Sequence, residues 1–303
     1  MKLLIAHRQR YSDEQYDRLR ALGFDLCVMG RETDPVPAEG YDAEAVVCYQ
    51  LFNWNDISRF PKLRVIHTTS AGLDHMPLDV IRERGITLYN AGGVYSAPMA
   101  EFALCGVLQL YKHAPKLARQ QREHVWKQDF HLLELSGKRV CIVGAGSIGT
   151  QCAKRFSAMS CHVTGLCRRP AEKPYFDAVR HIDELDDLLP VSDIVIACLP
   201  LTEETQGLFG AGRFEKMKPG AVLVNIARGS IVDTGALLSA LDTGRLLGAV
   251  IDVCETEPLP ADSPLWDREN LILTPHISFV GDGNANRMFE LIYRNFRTYL
   301  GLD

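Results

Sequence analysis

The chain has 303 residues, 47% of them hydrophobic and 23% charged, proportions that give a folded protein with a sizeable core. Its formal net charge of −5 supplies no basic field for nucleic acid or an anionic lipid surface, so neither is an expected partner. The opening MKLLIAHRQR turns polar too early for a signal-peptide core, and no apolar run approaches the roughly 18–20 residues that span a bilayer.

KLLIA at residues 2–6 reads as a strand, and SDEQYDRLRAL as a helix with Ser12 at the N-cap and Gln15 completing a capping box. AVVCY, RVIHTT and ITLYN continue a strand series to about Asn90, a first α/β unit without a glycine fingerprint. NAGGVYSAPMAEFALCGVLQLYK marks a boundary: two glycines and a Ser-x-Pro start open a long apolar helix. The polar, positively charged KHAPKLARQQREHVWKQDFHLLELSG then reads as a solvated arm or a subunit contact. A second α/β unit begins at KRVCIVGAGSIGTQCAKRFSAM, with later strands in SDIVIACLP, GAVLVNIA, LLGAVIDV and NLILTP. NANRMFELIYRNFRTYL is helical, has no strand of its own and is predicted to pack back on the first unit. The expected domains are therefore 1–95 plus about 281–303, and 96–280. Nine cysteines, an odd number with no C-x-x-C pair, several of them in apolar runs (Cys48, Cys141, Cys198), predict buried reduced thiols in a cytoplasmic protein. No disulfide framework or metal site is expected.

In VCIVGAGSIG the glycines Gly144, Gly146 and Gly149 have the spacing of a dinucleotide-binding turn, with Ser147 and Ile148 between the last two. The first makes the tight turn, the second admits a pyrophosphate to the backbone, and the third lets helix and strand pack closely. The helix opening there offers free N–H groups and a positive dipole end to phosphate. The next strand runs out eighteen residues after Gly149 into Cys167, Arg168 and Arg169. An acid at that point would bind the ribose 2′-hydroxyl of NAD and repel the 2′-phosphate of NADP. Its replacement by cysteine followed by two cations favours NADP, with NAD as the alternative cofactor.

Three later stretches, VNIARGSIVDTGALLSAL, GAVIDVCETEPLPADSPLW and NLILTPHIS, resemble, together with the glycine turn, the D-isomer-specific 2-hydroxyacid dehydrogenases, among them glyoxylate/hydroxypyruvate reductases. The resemblance runs from TTSAGLDHM at residue 68 to TPHIS at 278. It implies two Rossmann-like doubly wound parallel-sheet α/β domains with a cleft between them, and a homodimer. It places the catalytic residues at Arg228, Glu257 and His276. The chemistry of reducing a 2-keto acid asks for the same types: a proton donor titrating near working pH, a carboxylate to orient it, and a planar cation for carboxylate and keto oxygens. The same resemblance assigns the substrate carboxylate to the backbone of Ala71 and Gly72. It sets Asp252 at the nicotinamide, and Leu199, Pro200, Thr205, Ile226 and Ala227 around the cofactor. His67, Asp74 and His75 read as structural. Tyr49, Leu51, Phe52, Trp54 and Tyr95 are candidate pocket walls with core packing as the alternative.

One departure concerns substrate. Where many family members follow the catalytic His-Ile with small residues, this chain has Ser278, Phe279 and Val280, so its pocket is expected to be narrowed or reshaped. The function implied is NADPH-dependent reduction of a small 2-keto acid to the D-2-hydroxy acid. The alternatives are an NAD(H)-sensing, corepressor-like binding protein on the same scaffold, or NAD-dependent oxidation of a 2-hydroxy acid.

Overall fold

The computed structural model describes residues 1–6 and 11–302; the charged residues 7–10, on which part of the reading of the N-terminus rests, lie outside them. The chain divides into two compact units, Met1–Tyr95 with Gly281–Asp303, and Ser96–Val280.

In the first unit the elements are β1 (Lys2–Ala6), α1 (Asp13–Ala21), β2 (Asp25–Val28), β3 (Ala45–Cys48), α2 (Leu51–Trp54), β4 (Val65–Thr68), α3 (Leu78–Glu83) and β5 (Thr87–Tyr89). The strands form one parallel sheet in the order β2-β1-β3-β4-β5. β3 and β4 are buried along their whole length, as strands covered on both faces must be. α1 starts with the predicted capping box: Ser12 Oγ accepts the Gln15 N–H, and Gln15 Oε1 accepts the Ser12 N–H.

The second unit carries α4 (Ser96–Tyr111), α5 (Ala114–Arg122), β6 (Arg139–Val143), α6 (Ser147–Ala158), β7 (His162–Cys167), β8 (Ala178–His181), α7 (Leu185–Leu188), β9 (Ile194–Ala197), α8 (Ala211–Lys216), β10 (Ala221–Asn225), α9 (Thr234–Asp242), β11 (Leu246–Ile251) and β12 (Leu271–Leu273). Its parallel sheet runs β12-β11-β10-β9-β6-β7-β8. The strand order reverses direction between β9 and β6, and β6 leads into the glycine turn. That is where an open α/β sheet leaves a crevice at its carboxyl ends. The chain then ends in α10 (Asn284–Tyr299). Its Met288, Phe289, Ile292 and Phe296 belong to the same buried cluster as Leu3, Ile5, Leu19, Phe24 and Val47 of the first unit. Arg18 grips Glu290 with Nη1 and Nη2 of its guanidinium, at 2.5 and 3.0 Å.

The architecture is the α/β fold with two parallel sheets that the sequence predicts. Two edge strands, β2 and β8, were not foreseen. The polar stretch after α4, expected as a solvated arm or a subunit contact, forms α5, none of whose residues is buried, and is drawn together by Asp129. The Asp129 carboxylate takes hydrogen bonds from Lys116, His113 and the His131 N–H, which hold it well below the usual carboxylate range. The cysteine expectation needs correcting. All nine are free thiols, but Cys105 is exposed and Cys167, Cys198 and Cys254 are half-buried, because these four sit on a helix surface or at strand ends rather than inside the sheets.

Candidate functional site

β6 ends at Val143, and the chain turns at Gly144 with φ +115°, a value that L side chains rarely adopt. A Cβ at Gly149 would lie 2.1 Å from the Gly144 carbonyl oxygen, so only glycine lets the first turn of α6 pack this closely on the strand end. At Gly146 a Cβ would meet no protein atom within 4 Å, which leaves the backbone open to a ligand from that side. The three positions thus have the geometry that a pyrophosphate at the start of α6 needs. Ser147 Oγ lies 2.8 Å from Ser96 Oγ, tying the helix start to the start of α4. The turn is fixed to β7 because the N–H groups of Gly144 and Ala145 both donate to Leu166 O. Just beyond, Cys167 Sγ donates to Arg169 O, while Arg168 and Arg169 are exposed.

Around the same sheet end, Leu199, Ile226 and Ala227 are buried and Pro200 is exposed. The Thr205 hydroxyl donates to Pro200 O at 2.8 Å and accepts the Thr202 N–H at 2.7 Å, which shapes the loop after β9. β10 ends in Asn225, a fully buried polar side chain whose role the sequence did not disclose. Its Nδ2 donates to Arg228 O and its Oδ1 accepts the Ala227 N–H, so it moulds the turn that presents Arg228. The Arg228 guanidinium donates to Ala227 O at 2.7 Å. Behind it, a Cβ on Gly229 would fall 2.0 Å from the Cys254 carbonyl, so the Arg228 turn lies directly on the segment leading to Glu257.

Glu257 is held from one side and holds on the other: its Oε1 accepts the Cys254 N–H at 3.0 Å, and its Oε2 lies 2.8 Å from His276 Nδ1. Glu257 thus engages the Nδ1 side of the imidazole, and Nε2 is the ring nitrogen on the other side. His276 has φ +51°, the left-handed region, which costs on the order of 1 kcal/mol or more for a non-glycine residue and needs external support. Asp252 gives it. This carboxylate, 1% exposed, accepts Thr274 Oγ1–H at 2.8 Å, the Ile277 N–H at 2.8 Å and the Ser278 N–H at 3.0 Å, and its backbone oxygen accepts the His276 N–H at 2.8 Å. Four bonds from one residue thus clamp both sides of the histidine, and the three to the carboxylate also satisfy a buried polar group that would otherwise be costly. Asp252 was expected only at the nicotinamide; its grip on residues 274–278 is an additional role. Phe279 packs edge-to-face on the His276 ring, with centroids 6.0 Å apart and planes at 86°.

In the first unit, the residues after β3 and β4 emerge from neighbouring strand ends. Asn90 Nδ2 donates to Ala71 O and Ser70 Oγ to Gly72 O, fixing the loop expected to hold a carboxylate. His67 is fully buried, between Thr68 O and Asn295 Nδ2. Among the candidate walls, Leu51 and Phe52 pack into the core; Tyr49 and Trp54 are exposed, with Tyr49 against the His75 ring. The Tyr95 hydroxyl donates to Thr69 O. Among the described residues no group of three or more His, Cys, Asp or Glu side chains could hold a metal ion, and no helix is long and apolar enough to cross a membrane.

The family model of the D-isomer specific 2-hydroxyacid dehydrogenase NAD binding domain matches residues 104–278, which include the glycine turn, Arg228, Glu257 and His276. The D-3-phosphoglycerate dehydrogenase of Archaeoglobus fulgidus is 34% identical over 286 residues, covering 92% of this chain but 53% of its own length, so the chain spans about half of that relative. The glyoxylate reductase of Thermofilum pendens is 35% identical over 286 residues, covering 89% of this chain and 76% of its own length. The solved structure of a D-isomer specific 2-hydroxyacid dehydrogenase family protein from Aeromonas salmonicida has a TM-score of 0.84 at 32% identity, covering 100% of this chain and 96% of that one. Fold, motif order and relatives agree: the chain belongs to the D-isomer specific 2-hydroxyacid dehydrogenases, a family of nicotinamide-dependent oxidoreductases.

Proposed function

We propose that the protein reduces a small 2-keto acid of the glyoxylate or hydroxypyruvate type to the D-2-hydroxy acid, with NADPH as cofactor. The observation that carries this reading is the His276–Glu257 pair, with its Nδ1–Oε2 distance of 2.8 Å, set at the end of β12 beside the Asp252 clamp. The nicotinamide, when bound, supplies the hydride. His276 gives a proton from Nε2 to the carbonyl oxygen, Glu257 keeps the ring oriented, and Arg228 binds the carboxylate and keto oxygens. In the first unit, the backbone N–H groups of Ala71 and Gly72 are proposed to bind the substrate carboxylate. Gly144, Gly146, Ser147, Ile148 and Gly149 are proposed to cradle the pyrophosphate. Leu199, Pro200, Thr205, Ile226, Ala227 and Asp252 are proposed to border the rest of the cofactor.

The preference for NADP rests on Arg168 and Arg169 at the end of β7, where no acid stands against a 2′-phosphate. Steady-state oxidation of NADPH and NADH with glyoxylate, hydroxypyruvate, pyruvate and phenylpyruvate tests both parts. The double variant Arg168→Ala, Arg169→Ala is expected to raise KM for NADPH by about 10- to 100-fold, the worth of charge-assisted hydrogen bonds, with little change for NADH. Equal effects on both cofactors would return the arginines to plain surface charge. Cofactor binding without turnover would favour the sensor reading instead.

Phe279 supports a small substrate, because it packs against the ring that gives the proton. Phe279→Ala is expected to shift the ratio of kcat/KM for phenylpyruvate over glyoxylate upward by about tenfold or more, the usual reward for relieving a crowded apolar contact. An unchanged ratio would show that the ring does not set pocket size. A homodimer fits the exposure of Trp126 (99%) and Phe130 (84%) on the arm after α5, surface that a second copy would cover. The free thiols fit a reducing, cytoplasmic setting.

A further inference from the structure

The segment that follows β7 does not simply trail into solvent. Lys173 Nζ donates a hydrogen bond to the carbonyl oxygen of Ala145, the residue between the first two glycines of the turn. A second anchor lies three residues on: a Cβ added to Gly165 would meet Phe176 Cε1 at 2.6 Å and Ala145 Cβ at 3.0 Å, so the Phe176 ring lies against β7 beside Ala145. Residues 168–176 therefore fold back along the edge of the glycine turn. Because Gly144 and Ala145 are both bonded to Leu166 O, the turn, the end of β7 and the returning lysine form one rim, and Arg168 and Arg169 stand on it.

We propose that Lys173 is a third cation of the cofactor's 2′-phosphate subsite, a specificity-determining residue acting with Arg168 and Arg169. The inference rests on the NADP(H) reading of those two arginines. An ammonium has three N–H donors; one is spent on Ala145 O, which aims the head at the turn, and two are left for phosphate oxygens. The half-buried stem fixes the position of the charge, whereas the two exposed arginines gain theirs on binding. Two acids stand near this rim: Glu172, exposed and next to Lys173 in the chain, and Glu204 in the loop after β9. The Glu204 carboxyl is held below the usual carboxylate range first by the Thr202 hydroxyl, then by its own backbone N–H and, most weakly, by Arg168.

The test is calorimetric titration of the whole protein with 2′,5′-ADP and with 5′-AMP, which differ only in the 2′-phosphate. Wild type is expected to bind 2′,5′-ADP more tightly. Lys173→Met, which keeps the length of the stem, is expected to weaken 2′,5′-ADP by about tenfold, the lower end for a charge-assisted bond, and 5′-AMP by less than about twofold. Lys173→Arg should restore most of the 2′,5′-ADP affinity. Equal losses for both nucleotides in Lys173→Met would make the lysine a tether of the turn and overturn the proposal. So would unchanged 2′,5′-ADP binding in a protein that still prefers it to 5′-AMP, leaving the arginine reading intact. A wild type with no preference for 2′,5′-ADP would remove the NADP reading itself.

Discussion

Replacing His276 by alanine is expected to lower kcat by roughly 10²–10⁴-fold, the range for a general acid placed at the reacting group. The geometry makes the loss specific. His276 Nδ1 is engaged by Glu257, which leaves Nε2 as the atom proposed to give the proton. The side chain is 42% exposed, so its removal leaves no cavity in the core, and the loop stays clamped because Asp252 bonds to the backbone of residues 276–278 and the Thr274 hydroxyl, not to the imidazole. Cofactor affinity and thermal midpoint should therefore be nearly those of the wild type. Steady-state kinetics with a thermal melt of the same preparation decides the matter, and a near-normal kcat would remove His276 from the mechanism.

Gly229→Ala is expected to damage the enzyme almost as much without touching a reacting group. Its added methyl would lie 2.0 Å from both the carbonyl carbon and oxygen of Cys254 and 2.4 Å from the Glu255 nitrogen. These are backbone atoms and cannot rotate aside, so the Arg228 turn and the Cys254–Glu257 segment must separate. Overpacking of this kind costs typically about 1–3 kcal/mol, which for a unit of this size lowers Tm by roughly 2–12 °C. A displacement near 1 Å between catalytic groups costs about 10²-fold in rate, so kcat/KM should fall by about that factor at temperatures where the protein is still folded. Scanning calorimetry and kinetics on the same variant check both numbers. A wild-type melt with wild-type kcat/KM would mean that the two segments are free to part.

What the sequence disclosed follows from where the information lies. β3, β4, β9 and β10 are buried on both faces, so each reads as an unbroken apolar run. β2 and β8 escaped because they lie on sheet edges and carry exposed residues such as Asp25 and Arg180 that blur the run. The capping box of α1 was legible because both partners lie within four residues. The same holds in the site. Arg228, Glu257 and His276 announce themselves by residue type within recognisable stretches. The clamp at Asp252 is made with residues 22 to 26 positions away, and the tether at Lys173 with one 28 positions away, and no local pattern encodes either. A buried Asn at the end of an apolar strand, as at Asn225, is the kind of signal that marks such supports: a polar group in that place must be paying attention to a nearby backbone.

The position of α10 in the core of the first unit has a consequence for how the protein is made. Leu3 and Ile5 leave the ribosome well before Phe289, Ile292 and Phe296, which cover the same cluster. Residues 96–280 are contiguous and can complete their own sheet during synthesis. The strands of the first unit must wait, with part of their apolar face uncovered, until α10 arrives. The interval in which they need protection from aggregation is thus set by the time taken to translate everything between.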